Sequence, residues 1–180
     1  MIKQTKYWIN DLTNNIKVIS SCIEKKIPFA NEESNEILLD LEKRIMISCY
    51  ILRKLNESKK ITNDLYKTEV KLDFHSKKSK VPIEFDSFTE LYNMENSEVT
   101  NKYFSFIANQ IIHSYCFEIS QYFDETISGF YFNSDRSSKK GIYYVRIDDF
   151  FEALTDVARV YADGEAYTKN AEGVFVKLWR

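Results

Sequence analysis

Asn109 and His113 are the two residues of this 180-residue sequence whose types and spacing best fit a catalytic role. They lie in the stretch Asn101 to Ser120. Large apolar residues surround them: Phe104, Phe106, Ile107, Ile111 and Ile112. Residues four positions apart share one face of a helix, so the pair comes together if this stretch is helical. An imidazole titrates near neutral pH and serves as a general acid or base, and Asn109 would orient it or a substrate phosphate.

The same pair also has a structural interpretation, and the sequence leaves both open. Polar groups on an apolar helix cost stability unless they are hydrogen-bonded, which favours a buried and satisfied pair. His113 would then bind the free carbonyl groups at the end of the helix. The catalytic interpretation instead needs the pair to open onto a groove that contains a cation.

Basic residues are the further candidates, because they can hold a phosphate or a developing anion. Arg44 and Arg53 flank the apolar middle of the second predicted helix, where each either extends to solvent, pairs with a carboxylate or contacts an anion. Three more cations lie in the polar segment 133–141: Arg136, Lys139 and Lys140. This segment is either a solvated loop or a surface that binds a phosphate or an acidic partner.

No motif for a metal ion or a nucleotide cofactor occurs: there is no glycine-rich phosphate loop, no HExxH and no paired Cys/His spacing. We therefore predict no cofactor and no metal site. The acidic run with Asp148, Asp149, Glu152 and Asp156 suits a divalent cation, but it is more typical of a helix N-terminus and a solvated helix face.

The composition, with 44% hydrophobic and 15% aromatic residues, is typical of a packed globular chain. A formal net charge of −2 gives no overall attraction to nucleic acid, so contact with RNA would need a local patch. The start of the chain lacks the apolar core of a signal peptide, and no run approaches the roughly 20 apolar residues of a membrane span. We therefore expect a cytoplasmic protein without membrane contact. Cys22, Cys49 and Cys116 are predicted to be buried free thiols.

Hydrophobic periodicity predicts a helical front part, residues 1–114. Apolar residues at helical spacing from Ile9 to Ile27 predict a first helix that ends at Pro28. A second helix, about 34–57, is capped by Asn31 or Ser34 and forms a hairpin with the first.

Alternating residues then predict a β-hairpin near 68–86, with strands at 70–75 and 81–85. Ser87 begins a short helix that extends to about Met94. The central helix, which carries the polar pair, is predicted over Glu98 to Ser114.

The rest of the chain, about 115–180, is predicted to be rich in β-strands. Strands are expected at 115–119, 130–133, 142–147 and 174–179, with a turn at Ser128-Gly129 and a polar loop at 134–141. Asp148 or Asp149 caps a last helix, which Asp163-Gly164 closes. The sum is a single α+β domain over residues 1–180, in which an N-terminal helical hairpin or bundle packs with an antiparallel sheet and one C-terminal helix.

Asn109-Gln110-Ile111-Ile112-His113 resembles part of the motif of the HEPN superfamily, prokaryotic helical bundles that include ribonucleases and nucleotide-binding domains. A late helix of that family carries an arginine, then a polar residue, often asparagine, and then a histidine. Ala108 stands where the arginine is expected, so the resemblance implies an inactive or altered relative unless Arg44 or Arg53 supplies the cation.

Two functions follow as hypotheses. The first is a small interaction module that binds a protein partner or a second copy of itself, in a prokaryotic defence or toxin–antitoxin system; that setting comes only from the resemblance. The alternative is a metal-independent ribonuclease, in which His113 transfers the proton, Asn109 positions it and an arginine stabilises the phosphate.

Overall fold

The fold is α+β, as predicted, and combines helices with an antiparallel sheet. The computed structural model describes residues 5–29, 31–61, 66–79, 87–162, 166–169 and 175–178, with side chains described up to residue 158. Within these residues, no helix is both long enough and apolar enough to cross a bilayer.

Helices α1 (Thr5–Ile23) and α2 (Glu32–Glu57) form the front of the molecule and pack against each other. Both were predicted, although α1 ends at Ile23, before Pro28. Ile27 is nonetheless buried, and its N–H donates to the Glu125 carbonyl oxygen at 2.9 Å. Asn31 caps α2, because its side chain accepts from the Glu33 N–H at 3.0 Å.

Five antiparallel strands form the main sheet in the order β2-β1-β5-β4-β3. These strands are β1 (Glu69–Ser76), β2 (Glu98–Tyr103), β3 (Ser114–Gln121), β4 (Ile127–Ser134) and β5 (Gly141–Arg146). Near the end of the chain β6 (Ala166–Lys169) pairs with β7 (Phe175–Leu178) in a separate two-stranded sheet. The second strand of the predicted β-hairpin, 81–85, and the predicted Asp163-Gly164 helix end lie outside the described residues.

Three further helices connect the strands: α3 (Phe104–Ile112), α4 (Asp135–Ser138) and α5 (Ile147–Ala162). A 3-10 turn, Phe88–Leu91, replaces the short helix predicted after Ser87. The polar segment predicted as a loop contains the single turn α4, which Ser134 caps. Asp148 and Asp149 lie in the first turn of α5, where carboxylates favour the helix dipole, and not at its cap.

One hydrophobic cluster joins these helices to one face of the sheet. Its centre contains the rings of Phe104, Phe130 and Phe150, which are fully buried and lie 5.0 to 5.7 Å apart in the neighbouring pairs. The apolar faces of α1, α2, α3 and α5 and the inward residues of β1, β4 and β5 complete it. Burial of these faces is the main driving force that holds the helices on the sheet.

The prediction of a central helix over Glu98 to Ser114 was wrong for its first six residues. Residues 98–103 form β2, which pairs with β1 from Glu69↔Tyr103 to Phe74↔Glu98. Val99, Thr100 and Tyr103 favour strands, but most of β2 is exposed, so its sequence shows no alternation of apolar and polar residues. The front part of the chain therefore contains β2 in addition to the predicted strand β1.

The predicted turn at Ser128-Gly129 was also wrong, because both residues lie inside β4. The chain turns earlier, where the Asp124 carboxylate accepts from the Thr126 N–H at 3.1 Å and Glu125 adopts a left-handed φ of 68°. Gly129 is needed for close packing: a Cβ there would overlap the Val145 carbonyl oxygen and lie 2.7 Å from the Tyr144 hydroxyl.

We expect Gly129→Ala to lower the free energy of unfolding by about 1–3 kcal/mol, since the added methyl group has no space in the sheet. Ser120→Ala is the matched control, because Ser120 lies opposite Gly129 on β3 and is half-buried. Urea unfolding followed by circular dichroism measures both. Equal stability of Gly129→Ala and the wild type would contradict the close approach of β4 and β5 at this position.

Candidate functional site

Helix α3 carries the candidate pair and is anchored by one apolar face. Phe104, Ile107, Ala108 and Ile111 follow the helical spacing and are fully buried against α2 and the sheet. The helix ends at Ile112. His113 follows as its cap, with its N–H donating to the Asn109 carbonyl oxygen at 3.3 Å, and β3 begins at the next residue. Asn109 and His113 are therefore on the exposed side of α3, and the expectation of a buried polar pair was wrong.

Arg53 of α2 contacts the imidazole of His113. Its Nη1 lies 3.1 Å from Nε2 of His113, at the surface. A guanidinium group can only donate, so Nε2 must be the acceptor and must be unprotonated in this arrangement. The neutral ring then carries its hydrogen on Nδ1, and its lone pair faces a cation.

Glu57 holds the Arg53 side chain in place. Its carboxylate accepts from Nε of Arg53 at 2.8 Å and from Nζ of Lys54 at 2.9 Å. These bonds, the one from Lys54 first, keep the pKa of the Glu57 carboxyl below its ordinary value. The three side chains together carry one net positive charge beside His113.

Ala108, which stands where the HEPN motif has an arginine, is fully buried. A guanidinium group at this position would enter the core between α2 and α3, where an unpaired charge is very costly. The cation at the site comes from α2 instead, as the sequence allowed for Arg44 or Arg53.

Arg44 lies elsewhere. Its Nε donates to Asp40 Oδ2 at 2.9 Å and its Nη1 to Oδ1 of the buried Asn15 at 3.1 Å, so it joins α2 to α1. Arg44 and Arg53 are nine residues apart, about two and a half helical turns, and therefore lie on opposite sides of α2. Only Arg53 reaches His113.

Gln110, which we did not single out in the sequence, connects the site to the next strand end. Its Oε1 accepts from the Ser134 N–H at 3.1 Å and from the Ser137 hydroxyl at 2.6 Å. The one sequence signal for this role is a polar residue next to Asn109. The partners of Gln110 could not be found in the sequence, because they are more than twenty residues away. It fixes α4 against α3.

The basic residues of segment 133–141 lie at the same end of the sheet as His113. Ser114, which follows His113, pairs with Ser134, which caps α4. Arg136, Lys139 and Lys140 are exposed, and none forms an ion pair or side-chain hydrogen bond with another described residue. The two sets of candidates, far apart in sequence, therefore lie at the same end of the sheet.

Asn109 is exposed and makes no side-chain hydrogen bond with any described residue. Its amide group is available to a ligand one helical turn before His113. The structure thus brings His113 and Arg53 into contact, whereas Asn109 is exposed on the same helix and contacts neither of them through its side chain among the described hydrogen bonds.

Other reactive groups do not join this site. His75 is buried on β1, and its Nδ1 lies 3.3 Å from the Asn93 carbonyl oxygen. Burial raises the pKa of all three thiols, that of Cys116 to about 11. Across the described part of the chain, no group of three His, Cys, Asp or Glu side chains is arranged to hold a metal ion.

Comparison with known proteins finds no family model, no curated protein and no solved structure that matches this chain. The resemblance to the HEPN superfamily therefore stays a hypothesis.

We expect His113 to carry its hydrogen on Nδ1 at alkaline pH, since Arg53 donates to Nε2. Nitrogen chemical shifts from long-range proton–nitrogen NMR spectra report this tautomer. Replacing Arg53→Met removes the donor and should return His113 to a mixture dominated by the Nε2–H form.

His75 is the internal control for this measurement, because the chain has two histidines. Its Nδ1 faces a carbonyl oxygen, which can only accept, so His75 should keep the Nδ1–H form in both proteins. An Nε2–H tautomer of His113 in the wild type would show that the Arg53 contact does not form in solution.

Proposed function

We propose that the protein is a metal-independent ribonuclease in which Arg53 and His113 act on the RNA backbone. The observation that carries the proposal is the 3.1 Å contact between Arg53 Nη1 and Nε2 of His113 on an exposed surface. It combines a free base with a cation, the two groups that cleavage through the ribose 2′-hydroxyl needs.

The reaction is an intramolecular transesterification. His113 Nε2 takes the proton of the 2′-hydroxyl, and the 2′-oxygen attacks the adjacent phosphorus. The bond from phosphorus to the 5′-oxygen breaks, and the leaving 5′-oxygen receives a proton from the imidazolium or from water. The products are a 2′,3′-cyclic phosphate and a 5′-hydroxyl end.

Arg53 stabilises the negative charge that develops on the phosphate oxygens. A guanidinium has five N–H donors, and the contacts with Glu57 and His113 use two of them. The remaining donors can bind a phosphate while Glu57 keeps the side chain oriented. Binding of RNA then exchanges the Nη1–Nε2 contact for one between the 2′-hydroxyl and Nε2.

Arg136, Lys139 and Lys140 supply the local positive patch that a chain of net charge −2 needs to hold RNA. Their lack of carboxylate partners among the described residues leaves their charge available to phosphates. Asn109 contributes one more donor beside His113.

A cleavage assay with single-stranded RNA in EDTA tests the proposal. We expect His113→Ala to slow cleavage by about 100-fold or more, because it removes the base. Arg53→Ala should slow it by roughly 100- to 1,000-fold, because it removes the charge that stabilises the transition state. An RNA with 2′-deoxyribose at the cleaved position should not react.

Arg146→Ala is the matched control for loss of an arginine, since Arg146 is exposed at the opposite end of the sheet. The triple variant Arg136→Ala, Lys139→Ala and Lys140→Ala should raise KM about tenfold and leave kcat nearly unchanged. Absence of cleavage by the folded wild type, or equal rates for wild type and His113→Ala, would exclude the ribonuclease.

A protein-interaction module is the second candidate, and one observation favours it. Leu39, Ile47 and Tyr50 lie within about one quarter of the circumference of α2, and 42 to 49% of each remains exposed. Tyr50 is extended by Trp8 of α1, at 6.0 Å between ring centroids. A row of exposed apolar side chains on one helix is typical of a binding surface for another protein, such as an antitoxin in a defence system.

A photo-crosslinking amino acid at Tyr50 tests this second function in the native cell. We expect one crosslinked partner, and Ile47→Asp in the same chain should abolish it. The same amino acid at Lys17, which is exposed on the side of α1 opposite Trp8, is the control. Identical crosslinks from both positions would mean that the apolar row has no specific partner.

A further inference from the structure

Strand β2 lies at the edge of the main sheet, and no other described strand pairs with it on its outer side. It pairs with β1 without any register shift, and 63% of Val99 and 48% of Tyr103 are exposed. The opposite edge, β3, differs, because two register shifts interrupt it and α2 packs against it. Bulges and covering elements protect a sheet edge from pairing, whereas a regular, uncovered strand does not.

The ladder with β1 decides which backbone groups of β2 face outward. The Phe104 N–H donates to the Thr68 carbonyl oxygen at 2.8 Å, in register with the pairing of β1 and β2. Hydrogen-bonded pairs alternate along an antiparallel ladder, so Glu98, Thr100 and Lys102 bond to β1. Val99, Asn101 and Tyr103 therefore direct their N–H and C=O groups to the free edge.

We propose that β2 pairs with β2 of a second copy of this chain, antiparallel and centred on Thr100, so that the two main sheets become one continuous sheet. In this register Val99 lies opposite Asn101 of the second copy, and both present outward backbone groups. Thr100 faces Thr100 of the second copy as a non-hydrogen-bonded pair. Registers that differ by one residue would oppose outward groups with inward groups and are excluded.

Charge complementarity selects this register and this partner. Glu98 lies opposite Lys102 of the second copy, and the symmetry repeats the pair on the other side of Thr100. Opposite charges directly across an antiparallel ladder are favourable. In the single chain neither residue forms an ion pair with a described residue, and Lys102 Nζ instead lies 5.7 Å from the centroid of the Phe106 ring.

The next registers that keep outward groups opposite outward groups are shifted by two residues, and they lack this charge match. Centring on Asn101 would place Lys102 opposite Thr100 and leave Glu98 beyond the strand pair. Centring on Val99 would place Glu98 opposite Thr100 and Lys102 beyond β2. The proposal does not depend on the ribonuclease activity, since β2 contains none of the residues assigned to that site.

Sedimentation velocity over a wide range of protein concentrations tests the interface. We expect a reversible dimer in the wild type. Glu98→Lys and Lys102→Glu should each weaken it by about tenfold or more, since each creates two pairs of like charges. The double variant, Glu98→Lys with Lys102→Glu, restores opposite charges and should restore dimerisation.

Oxidative crosslinking tests the register separately. Non-hydrogen-bonded partners have Cα atoms about 4.5 Å apart, within the range of a disulfide. Thr100→Cys should therefore form a crosslinked dimer. Asn101→Cys should not, because Asn101 lies opposite Val99 of the second copy, two residues along the strand from Asn101 of that copy. Circular dichroism checks that every variant is folded.

A wild-type chain that stays monomeric at all concentrations would overturn the proposal. A dimer whose affinity is unchanged by the charge reversals would also overturn it. So would a dimer that crosslinks through Asn101→Cys and not through Thr100→Cys.

Discussion

Packing of α3 between α2 and the sheet is the constraint on which the rest of the structure depends. The helix joins β2 and β3, which are the two outer strands of the main sheet, so the chain must cross the sheet at this point. Its buried face leaves no freedom of rotation, because Phe104, Ile107, Ala108 and Ile111 have no exposed surface. His113 consequently emerges where α3 ends, against the last turns of α2.

The energies within the candidate site are small, and its geometry matters more. Ion pairs as exposed as those of Glu57 with Arg53 and Lys54 add little to stability, since water screens them. Their effect is to hold one rotamer of Arg53 and, through it, one tautomer of His113. In the proposed ribonuclease, an RNA strand bound over this surface would exclude water, so the same charges would act in a lower dielectric and interact more strongly.

The two ends of the sheet have different electrostatic character. The end with the candidate site has His113 before β3 and the cations of segment 133–141 after β4. At the other end, Asp149, Glu152 and Asp156 of α5 line a cleft with Glu69 and Lys71 of β1. A net charge near zero thus conceals a local separation of charge, and only such local fields can attract an anionic polymer to this chain.

The sequence by itself determined the elements that have a strong local signal. Periodic apolar residues predicted α1 and α2, Asn31 was one of two predicted caps, and alternation predicted β1 and β3. Asn109 lies in α3 and His113 directly follows its last residue, and both are exposed. These features depend on neighbours within one or two turns, and such neighbours are visible in the sequence.

Only the tertiary structure decided β2, the turn before β4 and the choice of arginine. Residues 98–103 form a strand because they pair with β1. An exposed edge strand does not need alternating apolar residues, so its sequence carries no strand pattern. Glycine is needed at position 129 because β5, which comes later in the chain, packs so closely that a Cβ would not fit. Arg44 and Arg53 look alike in the sequence, and the packing of α3 on one side of α2 alone selects Arg53 as the partner of His113.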